Sequence, residues 1–284
     1  MKIVDIINSQ NIVLRGCLYD TKNKNLCILF IPGMAGNIIE NKFIQILGEE
    51  LQKNDIGFLC GHNQGSFHIV DYPCNNNNGF VRRGVTYEKF EDCLPDISAY
   101  INYIKKLGYK KIVLAGHSLG ANKVIYYLSK NKPDLIKAYI LLGPPDMVAE
   151  LNSIEDKDDL ILEAKTNISN HEPNKLLSKL IWDYYILSSA TFIDLVENKN
   201  LHNLPITSHI GSFDALKSIK LPFLAIAGEK DDSCSNNIEI YLSSLISNAN
   251  SNGEYAIIKN ANHTYINQEK ELFNVIHAFI NKIF

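Results

Sequence analysis

The 284-residue sequence predicts an α/β fold: a mostly parallel central sheet flanked by helices, with a helical cap inserted late in the chain. Three observations carry this. Short apolar runs of strand character alternate with segments whose apolar residues recur at helical spacing, the pattern of βαβ units. One stretch of roughly 70 residues, too long for an ordinary connection, keeps helical periodicity with no clear strand. And a serine between two glycines, GHSLG at 116–120, stands where an apolar run gives way to a helical pattern.

Taken in order, KIVDII and IVLRGCLY open the chain as a hairpin-like pair around NSQN. LCILFIP (26–32) is continuously apolar, as a strand buried on both faces reads. NKFIQILGEELQKN is amphipathic, and IGFLCGH after it is strand-like. From Phe90 through Ile97, Ile101, Ile104 and Leu107 the spacing predicts a helix with Pro95 in its first turn and Gly108 as its stop. KIVLAGH, a helix from about Leu119 to Ser129, and KAYILLG (137–143) follow. After the long helical stretch come PFLAIAG (222–228), EYAIIKN (254–260) and a terminal helix from about Gln268 to Ile283. The expected division is a core of residues 1–147 and 219–284 with a cap of residues 148–218 that holds the single tryptophan. Two Asn-rich stretches, 72–80 and 247–253, read as exposed loops.

Composition narrows the function. A net charge of −3 lacks the basic bias of a nucleic-acid partner. No apolar run reaches the roughly 18 residues of a membrane span, and the interrupted N-terminal stretch does not read as a signal peptide. The six cysteines are scattered without a CxxC pair, which fits reduced core thiols in a cytoplasmic protein. No Cys/His cluster has ligand spacing, so neither a metal nor another cofactor is expected. Oligomeric state is left open.

Gly116-His117-Ser118-Leu119-Gly120 has the context that gives G-x-S-x-G chemical meaning, a strand before it and a helix after it. A serine on so sharp a corner is exposed, and the helix N-terminus brings free N–H groups and partial positive charge beside it. Such a nucleophile needs a base and an orienting carboxylate, following it in the order acid, then histidine. Asp231 or Asp232 follows PFLAIAG, and His263 follows EYAIIKN. Both lie at strand C-termini, the edge of a parallel sheet where ligands bind. Asp231 is preferred because it stands third after Gly228. The N–H of Leu119 and that of Met34, in the FIPGMAGN loop, are the expected oxyanion donors. His117 reads as a packed elbow residue, His62 and His68 as possible cleft-lining groups, and Arg82-Arg83 as a solvated pair.

Through GHSLG, PGMAGN, AGEKDD and ANHTY the chain resembles α/β-hydrolase-fold serine hydrolases of the esterase/lipase-like group over essentially its whole length. The segment RGVTYEKFEDCLPDISAYI is also similar to bacterial members of that group. One departure is Pro32, where many relatives carry histidine; this leaves the backbone donor and removes a polar side chain. The resemblance implies hydrolysis through an acyl-serine. The expected activity is cleavage of a small to medium carboxylic ester, a small-molecule substrate. Thioesterase, amidase or acyltransferase activity would use the same residues. A non-catalytic binding protein on this scaffold would be marked by a lost triad member, and none is lost.

Overall fold

The computed structural model describes residues 1–76, 79–234 and 237–284. β1 (Lys2–Ile7) and β2 (Val13–Tyr19) pair antiparallel, with Ile7 opposite Val13. The Asn8 carboxamide closes their turn by accepting from the N–H groups of Gln10 and Ile12. All six residues of β3 (Leu26–Ile31) are buried, as a strand covered on both faces requires. α1 (Lys42–Lys53) leads to β4 (Gly57–Gly61).

Next, β5 (Val70–Pro73) and β6 (Phe80–Arg83) form a hairpin that takes Tyr72, Pro73 and Phe80 from the ends of the Asn-rich stretch expected to be a loop. Sequence pattern missed it because the pairing rests on distant partners: the buried Tyr72 donates its hydroxyl to the Asn63 carbonyl. Asn77 and Asn78 of that stretch lie outside the described residues. The second Asn-rich stretch is shortened to residues 249–252 by the elements on either side.

A single turn at Phe90–Asp92 precedes α2 (Cys93–Lys106), so the helix proper begins at Cys93. Pro95 falls in its first turn, where backbone N–H groups have no intrahelical partner to lose. β7 (Lys111–His117), α3 (Leu119–Lys130) and β8 (Ile136–Leu142) follow. α4 (Met147–Asn152), α5 (Lys157–Ser169), α6 (Ser189–Glu197) and α7 (Asp214–Ser218) then intervene. The chain closes with β9 (Phe223–Lys230), α8 (Ile238–Asn248), β10 (Gly253–Asn262) and α9 (Glu269–Ile283).

Among the described residues the main sheet has eight strands in the order β1-β2-β4-β3-β7-β8-β9-β10. Only β1–β2 and β2–β4 are antiparallel. Strand pleat divides the apolar side chains between two cores. Leu29, Leu59, Leu114 and Leu141 pack on the side of α2 and α3. Phe30, Phe58, Val113 and Ile140 pack with α1 and α9. The α4–α7 segment is tied to the turn before α2: the Ser188 N–H donates to the Thr86 carbonyl, and the Phe90 N–H to Asp194.

Candidate active site

Ser118 ends β7 and begins α3 with φ 54° and ψ −131°, a conformation few non-glycine residues adopt. Backbone in so sparse a region costs on the order of 1–3 kcal/mol and persists where surrounding structure enforces it. Here the Ser118 N–H donates to the Leu142 carbonyl at 2.8 Å, and its own carbonyl accepts from Ala121 N–H at 2.8 Å. The flanking glycines are steric necessities. A Cβ at Gly116 would lie 2.2 Å from the Gly120 carbonyl oxygen, and one at Gly120 would lie 2.2 Å from that of Ile31.

The loop after β3 closes on this corner. A Cβ on Gly33 would meet the Ser118 Cβ at 2.8 Å and the Leu119 nitrogen at 3.3 Å. Among the described residues, neither the Met34 nor the Leu119 N–H has a backbone or side-chain acceptor, so both donors remain available. Met34, Leu119 and Ser118 line one cavity of about 380 Å³.

His263 reaches the same cavity from the end of β10. β9 and β10 run parallel with Ile258 beside Gly228; the ladder then slips, so that Asn262 stands beside Lys230. That irregularity brings the two following residues, Asp231 and His263, side by side. His263 Nδ1 lies 2.8 Å from Asp231 Oδ1, and Asp231 is buried. Ser233 Oγ sits 2.8 Å from both atoms, and the Ser233 N–H donates to Asp231 Oδ1 at 3.1 Å. Asp232 is exposed and turned to the cavity. No hydrogen bond joins Ser118 to His263 among the described residues; such contacts are often loose until substrate binds.

Residues 15–281 match the model of the family described as "Protein of unknown function (DUF1749)". The chain belongs to that family. No curated protein matches the chain. Solved structures share its fold. Est1E from Butyrivibrio proteoclasticus, solved with ferulic acid bound, is 19% identical at a TM-score of 0.68, over 98% of each chain. GrgF, an alpha/beta hydrolase from Penicillium, is 14% identical at a TM-score of 0.70, over 99% of this chain and 98% of its own. The Pyrococcus furiosus esterase Pf2001 is 18% identical at a TM-score of 0.63, over 99% of this chain and 90% of its own. This member of the family therefore has the α/β-hydrolase fold.

In this family member the electrostatics around the histidine are strongly graded. Burial pulls the His263 pKa down, but its hydrogen bond to Asp231 and the charges of Asp231, Asp232 and Glu150 outweigh it, leaving it above the usual histidine value. For Asp231, burial acts upward, yet its bonds to His263 and Ser233 hold it below the ordinary carboxylate range. His117 is driven down to about 3, first by burial and then by His263, whose ring centre is 4.6 Å away. Its Nε2 lies 2.8 Å from the His263 carbonyl, to which a neutral ring donates; it thereby steadies the loop carrying His263.

Sequence reasoning missed several cavity residues. Ser233 could have been noticed as the short polar residue two after Asp231, a common turn arrangement. Glu150 comes from the inserted segment, where no local pattern aims it at the cavity. Of the residues of that segment that sequence alone offers as an apolar and aromatic cleft wall, Trp182 and Tyr185 line the cavity, whereas Tyr184, Leu187 and Phe192 do not. Trp182 and Asp183 are the central residues of a tight turn closed by the Tyr184 N–H on the Ile181 carbonyl, and both have positive φ. Trp182 Nε1 donates to the Glu150 carbonyl at 3.2 Å, fastening the turn to α4. Burial, aided by Asp232, Asp231 and Asp146, raises the Glu150 carboxyl to about 7. His62 and His68 do not line this cavity. His62 is buried and accepts the Ile38 N–H, while His68 stacks on Tyr185. Arg82 pairs with Asp71, and Arg83 donates to Gln64.

Among the described residues no three His, Cys, Asp or Glu side chains are grouped to hold a metal ion. No helix among them is long and apolar enough to cross a membrane.

Proposed function

We propose that this protein is a serine hydrolase of carboxylic esters. Ser118 attacks the ester carbonyl carbon while His263 Nε2 takes the hydroxyl proton, giving a tetrahedral oxyanion. The N–H groups of Met34 and Leu119 hold that oxyanion, each donor of this kind contributing about 10²–10³ in rate. Asp231 keeps the His263 Nδ1 proton in place, so that Nε2 remains the basic nitrogen. Collapse expels the alcohol, protonated by His263. Water, activated by the same histidine, then cleaves the acyl-serine. The observation that carries the reading is a strained serine, its two free N–H neighbours and a carboxylate-paired histidine sharing one cavity.

Residues 148–218 act in this reading as a cap over the core formed by 1–147 and 219–284, supplying Glu150, Trp182 and Tyr185 as one wall of the acyl or alcohol site. The ferulic acid seen on Est1E fits the same idea of a small aryl or acyl group against aromatic side chains. A fluorophosphonate probe tests the proposal. It should attach covalently to Ser118, and Ser118→Ala should lose both labelling and hydrolysis of p-nitrophenyl butyrate. Undiminished labelling of Ser118→Ala would remove Ser118 from the role.

A further inference from the structure

Beneath the site lies a fully buried lysine that the reaction itself does not use. Lys123 stands one helical turn after Leu119 on α3, on the same face, and is wholly buried. Its Nζ lies 2.5 Å from Glu88 Oε1 and 3.2 Å from Asn63 Oδ1. Burying an ammonium group costs several kcal/mol unless it is paired and hydrogen-bonded. Among the described residues, Lys123 meets that condition by gripping these two.

The grip continues to the loop after β3. Asn63 is fully buried, and its Nδ2 donates to the Pro32 carbonyl at 3.2 Å, two residues before Met34. Asn63 Oδ1 also accepts the Gly65 N–H at 2.9 Å. The Gly65 carbonyl in turn accepts the Ala35 N–H at 3.1 Å, and the Ala35 carbonyl accepts the Phe67 N–H at 2.9 Å. Glu88 fills the space over Gly65 so closely that a Cβ there would lie 1.9 Å from its Oε2. A continuous buried path therefore joins the helix that begins with the Leu119 N–H to the loop that carries the Met34 N–H. Those two N–H groups must converge on one oxygen, which tolerates displacements of only about half an ångström.

We infer that Asn63, anchored by the Lys123–Glu88 pair, is a positioning residue that sets the spacing of the two oxyanion donors. This rests on the serine hydrolase reading above. The charge supplies rigidity: an uncharged contact could slide, whereas releasing Asn63 from Lys123 would leave a buried ammonium short of an acceptor.

The decisive variant is Asn63→Asp in the full chain. A carboxylate keeps the acceptor for Lys123 and for Gly65 N–H but removes the donor to Pro32. With p-nitrophenyl butyrate, kcat should fall about tenfold to a hundredfold, the scale of a misplaced catalytic group, while KM changes less than about twofold. Affinity for a trifluoromethyl ketone, which forms an oxyanion adduct with the serine, should fall by the same factor as kcat. A merely structural role would not produce that match. As a second arm, Glu88→Leu/Lys123→Met replaces the ion pair with apolar groups of similar size, a change buried pairs often tolerate. It should show the same matched loss, and it supplies the readout if Asn63→Asp does not fold. If kcat and ketone affinity both stay within about twofold of wild type, or if kcat falls without ketone affinity, the inference is overturned. An unlabelled, inactive wild type would instead overturn the hydrolase reading itself.

Discussion

Replacing Asp231 by asparagine separates the charge of this carboxylate from its geometry. The Ser233 N–H can only donate, and it points at Asp231 Oδ1 from 3.1 Å. An asparagine amide would therefore keep its oxygen at that position, where it still accepts the His263 Nδ1 proton. Its nitrogen would take the place of Oδ2, which is buried and has no hydrogen-bond partner among the described residues. The histidine tautomer is preserved, and what disappears is the negative charge facing the imidazolium formed in the transition state. Two unit charges about 4 Å apart attract by about 4 kcal/mol at an effective dielectric constant of about 20. A neutral hydrogen bond returns about 1 kcal/mol of that. The net loss of about 3 kcal/mol corresponds to roughly a hundredfold fall in kcat. Steady-state hydrolysis of p-nitrophenyl butyrate at pH 8.5 measures it, with Asp231→Ala and Asp232→Asn alongside. Asp231→Ala should lose more, because Ser233 and His263 both lose their anchor. Asp232→Asn, exposed and unbonded to the ring, should lose less than about tenfold. A fall of about 10⁴ for Asp231→Asn would mean that the amide nitrogen faces the ring and the tautomer is reversed. A fall under about fivefold, or a larger one for Asp232→Asn, would take the orienting role from Asp231.

Because His263 must be neutral to act as a base and its pKa is held up by Asp231, kcat/KM should fall in acid through a pKa above ~6.5. In Asp231→Asn that limb should move to lower pH, and a profile flat down to about pH 4.5 would contradict a histidine base. Buried His62, lowered to about 4 by burial and by Arg15, stays neutral in the fold while the unfolded chain takes up a proton below ~6.5. Stability should thus decline from about pH 6.5 towards 4 by about 3 kcal/mol on its account. Urea titrations should show that slope reduced in His62→Gln, whose amide oxygen can still accept the Ile38 N–H. Residues 148–218 carry eleven acidic and six basic side chains, and the cavity lining includes Glu150 and Asp232 but no lysine or arginine. Uncharged esters should therefore have higher kcat/KM than coenzyme A thioesters of equal acyl length, most clearly at low ionic strength; preference for the thioesters at both low and moderate salt would refute the charge argument.

Much of this architecture is written locally. The all-apolar run of β3, the alternation of strand and helix, and the compression of a serine between Gly116 and Gly120 are short-range patterns, and each is legible without a partner. Chain order then places Ser118, Asp231 and His263 after β7, β9 and β10, which in a parallel sheet delivers them to one rim. Sequence alone offered Asp231 only as a preference over Asp232, because both follow the same strand. The slip between Ile258 and Asn262 sets which of them meets the histidine: pairing Asn262 with Lys230 puts the next residue, Asp231, against His263. The β5–β6 hairpin was hidden for a similar reason, since Tyr72 is held by a carbonyl outside the hairpin. Trp182 reaches the cavity through a tight turn with two positive-φ residues, closed by its own backbone and fastened to α4, the helix that carries Glu150. No local pattern marks Lys123 as buried; its burial depends on Glu88 and Asn63, 35 and 60 residues away in sequence. Local pattern determines which backbone each segment adopts, because helix and strand periods are properties of neighbours. Which side chains meet is decided by non-local pairing, where the desolvation of buried polar groups leaves few arrangements in which every donor and charge is satisfied.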